Sequence, residues 1–338
     1  MTIKLPGRWA GHAAALWSLT YGLLGLYWAL GGAGFPFGRH DPDWEPGASL
    51  LGEATPEAAG PVIAVLGLAG AAAGLAIGLG ARRGRTALLA FAWPAALALT
   101  VVLPDMRVLM VVAYAPLLLV WAFTGVPGGQ PLGELVPWSR INLLVLLLGG
   151  LLWGLAALSA LRGRAVRGRW ADPERARRWG RWAVVVAAAI PACYDVSRLA
   201  WAAGIPLGVT EEFWRFLDES GLRWGGLFLS AMGIGGAVLT LGLVQRWGEV
   251  FPRWMWFVAG RRVPPMLAVV PASIVSLMVL SAGLAYWRLV LVRDLADWSM
   301  WATWLPSLTW PVWGVALGAA TVAYYVRRSA EAGTRVEA

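Results

Sequence analysis

About nine runs of mostly apolar residues divide the chain, at 10–31, 59–80, 86–103, 108–125, 141–161, 182–203, 222–245, 264–290 and 301–326. Each is near the roughly 20 residues that a helix needs to cross a hydrocarbon layer. Inside a bilayer no water reaches the backbone, so such runs satisfy their own N–H and C=O groups as helices. This restricts the fold to an all-α class, a polytopic transmembrane helical bundle of eight to nine spans. Composition agrees: 59% of the 338 residues are hydrophobic and 14% are charged, more apolar than a soluble domain of this length.

The net charge of +9 lies in short arginine blocks between the apolar runs, with Lys4 the only lysine. Arg82, Arg83 and Arg85 form one block; Arg162, Arg164, Arg167, Arg169, Arg175, Arg177, Arg178 and Arg181 form the largest. Arg246, Arg253, Arg261 and Arg262 form a third, and Arg327 and Arg328 close the last span. The positive-inside rule puts all of them, and both termini, on the cytoplasmic side of a cell inner (plasma) membrane. No basic soluble domain exists to bind nucleic acid, so the expected partners are the lipid bilayer and other membrane chains, as a homo-oligomer or membrane complex. The first run follows Lys4 and Arg8 like a signal peptide, but it is long enough to span and is read as a retained helix.

The second half restates the first. Tyr21 and Trp28, followed by Ala29 and Gly31, match Tyr194 and Trp201, followed by Ala202 and Gly204, at an offset of 173. Gly78 and Arg82 match Gly242 and Arg246, and Pro94-Ala95 matches Pro271-Ala272. The offset drifts because the second outer loop is shorter and the second cytoplasmic loop longer. Acidic stretches follow the matching spans: Asp41, Asp43, Glu45, Glu53 and Glu57 in one, and Glu211, Glu212, Asp218 and Glu219 in the other. The second reads as a short surface helix with Thr210 as N-cap. The expected organisation is two parallel internal repeats: a first membrane repeat at 1–161, a basic cytoplasmic linker at 162–181, a second membrane repeat at 182–328 and a disordered cytoplasmic tail at 329–338.

One segment breaks the symmetry of charge. If all nine runs crossed, the arginines of 162–181 would face outward. The stretch 103–125, which begins Pro104-Asp105-Met106-Arg107 and contains Pro116, is therefore expected not to cross completely, as a re-entrant or broken helix.

The chemistry-bearing candidates are few. Where the first copy has Gly22 and Gly25, the second has Asp195 and Arg198, i to i+3 on one helix face and spaced to pair directly. A charge inside a bilayer costs about 2.5–3.5 kcal/mol, which marks Asp195 and Arg198 as ligand-binding or proton-coupling residues. The alternative is a pair near the interface, where Arg198 snorkels to headgroups. Asp105 and Arg107 form a second charged point, either at a buried helix break able to hold a polar ligand or as a solvated cap. The chain has 23 tryptophans. Interfacial belts account for many, including Trp44, Trp138, Trp247, Trp254 and Trp256. Trp28, Trp201, Trp298, Trp301, Trp304, Trp310 and Trp313, with Tyr194, are candidates for an outward-facing aromatic cavity near Asp195, suited to an apolar or cationic guest.

Gly70, Gly74 and Gly78 form GxxxG spacings for close helix packing. The lone Cys193 excludes an internal disulfide, and His40 with Asp41, Asp43 and Glu45 follows no metal-ligand spacing. No nucleotide, dinucleotide, zinc-protease or serine-elbow motif occurs, so no cofactor, metal or catalytic residue is assigned.

The string Leu26-Tyr27-Trp28-Ala29-Leu30-Gly31-Gly32 resembles the first-helix ending, Tyr-Trp-Ala-Leu-Gly-Gly, of small uncharacterised multi-pass membrane proteins from GC-rich bacteria. The resemblance implies a tandem fusion of two such units and carries no activity. The leading functional expectation is a membrane carrier or permease for a small apolar or amphipathic molecule, with Asp195 and Arg198 at its site. The alternatives are an acid-initiated intramembrane enzyme acting on a lipid or isoprenoid, and a non-catalytic membrane subunit or receptor.

Overall fold

The computed structural model describes residues 7–81, 83–126, 131–161 and 172–334. In chain order its helices are α1 (Trp9–Ala29), α2 (Pro56–Leu79), α3 (Arg85–Leu97), α4 (Met106–Thr124), α5 (Leu132–Leu135), α6 (Trp138–Ala160), α7 (Pro173–Ala202), α8 (Glu211–Glu219), α9 (Leu222–Gly242), α10 (Pro265–Arg293), α11 (Trp301–Trp304) and α12 (Trp310–Thr334). A π-turn, Ala98–Val102, extends α3. Among the described residues there is no strand beyond one isolated bridge, Val250 with Arg262. Among the described residues, seven helices are long and apolar enough to cross a membrane: α2, α3 with its extension, α4, α6, α7, α9 and α10. They fit a multi-pass membrane protein. Large apolar side chains such as Leu66, Leu119, Leu239 and Leu291 stay exposed on their outer faces, as expected where the surrounding solvent is lipid.

The chain divides into two compact units, Lys4–Arg164 and Ala165–Ala338. In the first, α1 packs mainly against α2 and also against α6, while α3 packs against α6. Glycines set the α1–α2 distance. A methyl group on Gly25 would stand 2.7 Å from the Ala64 backbone nitrogen, and one on Gly22 would stand 3.0 Å from Gly67 Cα. Small residues on both helices thus bring the two backbones together, which is how membrane helices associate without a hydrophobic drive between them. Two pairs of enclosed side chains bond each other: the Tyr21 hydroxyl donates to Asn142 Oδ1 at 2.8 Å and Trp153 Nε1 donates to Ser18 Oγ at 3.1 Å, while Asn142 Nδ2 and Ser139 Oγ are left without a partner.

In the second unit α7 packs against α9 and α12, and α10 against α12. The roles of glycine are exchanged. Asp195 and Arg198 project from α7, and α9 makes room with Gly233, whose added methyl would lie 3.1 Å from Asp195 Oδ1, and Gly226, whose methyl would lie 3.2 Å from Arg198 Cδ. The short amphipathic helix α8 starts at Thr210, whose Oγ1 accepts from the Phe213 N–H at 3.4 Å.

Three sequence expectations are corrected. The basic linker does not extend to residue 181, because Pro173 opens α7, with Asp172 accepting from the Arg175 N–H at 2.9 Å as N-cap. The tail from 329 is not disordered over its first residues, because α12 continues to Thr334. The segment 103–125 is not broken: α4 is a continuous 19-residue helix that passes through Pro116. Lys4, Arg82, the linker arginines Arg162, Arg164, Arg167 and Arg169, and the tail beyond Thr334 lie outside the described residues.

The attachment of α4 explains the charge misfit in another way. Arg107 at its start and Arg140 near the start of α6 both reach the loop after α1, and Trp138 Nε1 donates to Gly34 O at 2.9 Å. The starts of α4 and α6 therefore lie at the same end of the first unit, so the chain leaves that end through α4 and returns to it. Only Val108 of α4 is buried.

Candidate functional site

Asp195 sits in α7 with 5% of its surface exposed. Ser230 of α9 is the polar group turned toward it, yet neither Asp195 Oδ1 nor Ser230 Oγ completes a hydrogen bond. A buried polar atom left this way costs about 1–3 kcal/mol. The expected Asp195–Arg198 pair does not form. Arg198 lies between two rings of its own helix, its guanidinium carbon 4.3 Å from the Tyr194 ring centre and 4.1 Å from that of Trp201. It donates to Ala302 O at 3.1 Å and Ser197 Oγ at 3.2 Å. Residues at i−4 and i+3 flank Arg198 on one face, and its long side chain reaches both ring faces, each worth about 0.5–2 kcal/mol. The cation is thereby held without the carboxylate, and Asp195 stays unpaired.

The outward-facing aromatic cavity is also replaced by something else. Trp201 is buried, donates to Leu207 O at 2.9 Å and meets Phe213 edge-on. Trp304 is buried, donates to Asp297 O at 2.9 Å and packs edge-on against Trp298, while Trp310 meets Tyr194. These rings close that end of the unit. The Tyr194 and Trp201 faces that a guest would use are taken by Arg198.

The cavity of the second unit lies toward its other end. It is a half-open cleft of ≈ 890 Å³ lined by α9 from Gly236, by Leu267–Val275 of α10, by Trp313 and Leu317 of α12, and by the connection between α9 and α10. Its lining is almost wholly apolar, and its size falls in the range of clefts that hold small-molecule ligands. Gly236, Ala268 and Ala272 leave the space, and Trp247, Phe251, Trp254 and Met255 roof it. The connection runs 243–264, whereas the turn from α2 to α3 in the first unit is only 80–84 and too short to form such a roof.

The roof is fastened by α12. The Tyr324 hydroxyl donates to Gly248 O at 2.8 Å, Arg328 donates to Val263 O at 3.0 Å, and Arg327 donates to Leu243 O at 2.5 Å while facing Glu249 at 3.5 Å. Arg327 thus satisfies a carbonyl at the end of α9, where the helix dipole also favours a cation. Within the connection, Phe251 N–H donates to Arg261 O and Gly260 N–H to Phe251 O, which folds it back on itself. Arg327 and Arg328 are each 7% exposed, so they are structural fasteners as well as a charge block.

The remaining candidates, Trp28, Asp105 and Arg107, belong to the first unit. Trp28 is buried between Tyr21 and Phe35. Asp105 caps α4, accepting the Arg107 N–H at 2.9 Å, and its carboxylate receives the Arg107 side chain at 2.7 Å. Arg107 also bonds Asp41, and Arg140 bonds Asp43 at 2.6 Å. The Arg140 hydrogen bonds hold the Asp43 carboxyl below the usual range against the opposing effect of burial, with the Arg140 and Arg107 charges assisting. Asp105 and Arg107 are therefore buried partners of each other and of Asp41, not a solvated turn and not free for a ligand. Asp41 and Asp43 face arginines, and no cluster of three or more metal-ligating side chains exists among the described residues.

The seven sequence candidates thus divide between the two units, and the sequence reading missed the cavity and the buried Asn142. A longer second connection rich in Trp and Phe was the signal for the cavity; a lone Asn inside an apolar run was the signal for Asn142. Compared with family models, curated proteins and solved structures, the chain matches none.

Proposed function

We propose that the chain is an integral membrane carrier for a small hydrophobic or amphipathic molecule, and that the second unit handles the ligand. The observation that carries this reading is the ≈ 890 Å³ cavity, apolar, aromatic-roofed and fastened from α12. Asp195 is the coupling group: a buried carboxylate with an unsatisfied oxygen changes charge when it takes up a proton, and the gain is not consumed by a standing ion pair. The faces of Tyr194 and Trp201 are committed to Arg198, which disfavours the enzyme reading in which those rings stabilise a carbocation.

The membrane arrangement proposed with it has eight crossings, α1, α2, α3, α6, α7, α9, α10 and α12. Helix α4 is a lateral excursion from the outer end, and the arginine blocks and both termini are cytoplasmic. Support comes from the shared end at which α4 and α6 begin and from the positive-inside rule. The two units are read as parallel repeats, tandem copies of one ancestral unit. The matching pairs α1–α2 with α7–α9, α1–α6 with α7–α12, and α3–α6 with α10–α12 support this.

The test is Asp195→Asn in proteoliposomes loaded with a fluorescent dye that carries one alkyl chain and a fixed sulfonate, and given a pH gradient. The variant is expected to keep dye binding and lose gradient-driven dye movement. Movement equal to wild type would remove Asp195 from the mechanism, and no saturable dye binding by either protein would remove the carrier reading itself.

A further inference from the structure

We propose that the ligand of this cavity is an anionic membrane lipid, with a hydrocarbon chain under the roof and its headgroup on the arginines of the roof connection. The inference rests on the reading of the cavity as the binding site and adds the chemical class of the occupant. Three observations lead to it.

First, the lining takes a chain and offers a headgroup almost nothing: Val238, Leu239, Leu267, Val275 and Leu317 are typical of it. Second, each end and the middle of the roof pair a lining residue with an adjacent exposed arginine. Arg246 precedes Trp247, Arg253 stands between Pro252 and Trp254, and Arg261 and Arg262 precede Val263. The only acidic residue on the connection, Glu249, is turned to Arg327, so the outer surface of the roof carries cationic groups without a local counter-charge. Third, the same connection exposes Trp254, Trp256 and Phe257, by 74%, 85% and 92%. Indole and phenyl groups beside arginines are the chemistry of a headgroup interface, which sets the roof where an anionic leaflet meets the hydrocarbon. A wholly apolar guest would use the cleft and leave the arginines as topology signals alone, and a free anion would leave the cleft unfilled.

Two variants separate headgroup from chain. Arg253→Gln with Arg261→Gln removes two roof charges and leaves the lining unchanged. Gly236→Leu fills the cavity: Gly236 lines it, and a Cβ added there meets nothing within 4 Å. Ala272→Phe, from α10, is the second filling variant should Gly236→Leu fold poorly. The full chain is loaded with equal amounts of phosphatidylglycerol and phosphatidylcholine of identical acyl chains, and retained lipid is counted by native mass spectrometry.

Wild type is expected to keep one phosphatidylglycerol in preference to phosphatidylcholine. Each arginine removed should lower that preference about fivefold, the weight of one basic side chain at an anionic surface. The filling variants should lose the retained lipid with the arginines intact. Equal retention of both lipids by wild type would overturn the headgroup assignment while leaving an apolar site. Unchanged retention in both filling variants would overturn the cavity as its location. The pH-gradient dye assay on the same preparations reads the carrier function separately: lipid retained without dye movement removes the carrier reading and leaves this one, and dye movement without lipid preference does the reverse.

Discussion

The first unit brings α1 and α2 together on glycines, with Gly22 and Gly25 facing Gly67 and Ala64. The second places Asp195 and Arg198 of α7 against α9, which supplies the glycines that accommodate them. The first unit bonds several enclosed polar groups internally, through Tyr21 with Asn142, Ser18 with Trp153, and Arg107 with Asp41 and Asp105, and leaves Ser139 Oγ and Asn142 Nδ2 unmet. The second leaves Asp195 Oδ1 and Ser230 Oγ unmet. It also adds a 22-residue connection over a cavity where the first unit has a five-residue turn. Both interiors keep unmet polar atoms, and the second differs in that one of them is a carboxylate and that a large apolar cleft lies in the same unit.

The strongest way to break this contrast is to give the first unit the residues of the second. Gly22→Asp with Gly25→Arg drives side chains into the α2 backbone and buries charge, which should cost about 4 kcal/mol or more and prevent stable folding. Thermal unfolding in detergent reads it, and a stable double variant would show that the glycine contact is not what closes the first unit.

Next in size is Arg107→Gln. It strands Asp41 and Asp105, both largely buried, and should lower stability by about 3 kcal/mol. It should also free α4 from the loop after α1, read as faster proteolysis near Pro104. A smaller pair of effects with opposite signs sharpens the comparison. Tyr21→Phe leaves Asn142 without its partner and should destabilise by about 1 kcal/mol, whereas Asp195→Ala removes an oxygen that has none and should stabilise by about 1 kcal/mol. Loss of stability on both substitutions would show that the Asp195 carboxylate is paired in the folded chain.

The smallest effect is a pH dependence that the first unit contributes through Asp43. The Asp43 carboxyl is held low by its Arg140 hydrogen bonds, so its folded pKa lies below the unfolded value of about 3.9. Its stabilisation is complete above that unfolded value and is lost as pH falls through the folded one. Melting temperatures on the acid side should fall less steeply in Arg140→Gln than in wild type, and identical slopes would show that Asp43 contributes nothing.

Much of the helical layout was legible because length and apolarity decide it locally. The runs at 59–80, 141–161 and 222–245 correspond to α2, α6 and α9. Arginine placement singled out the segment 103–125, but the break expected there does not occur, since α4 runs unbroken through Pro116. The site was less legible, for physical reasons. Spacing put Asp195, Tyr194 and Trp201 all within reach of Arg198, and nothing in sequence decides between a carboxylate and two ring faces. The cavity depends on a roof held by Tyr324, Arg327 and Arg328 across 76, 84 and 65 residues, contacts that no local pattern encodes. Trp247 and Trp254 read as interfacial anchors because a roof and an anchor have the same composition.

The central claim is that the second unit, and not the first, offers a ligand site. It is tested most directly by photolabelling the purified chain with a diazirine-bearing fatty alcohol and mapping the adducts by peptide mass spectrometry. Saturable labelling is predicted in Gly236–Leu243, Leu267–Val275 and Trp313–Leu317, abolished by Gly236→Leu, with only unsaturable labelling on α2 and α3. Equal, saturable labelling of the α2–α3 region, or labelling of the second unit that survives Gly236→Leu, would contradict it.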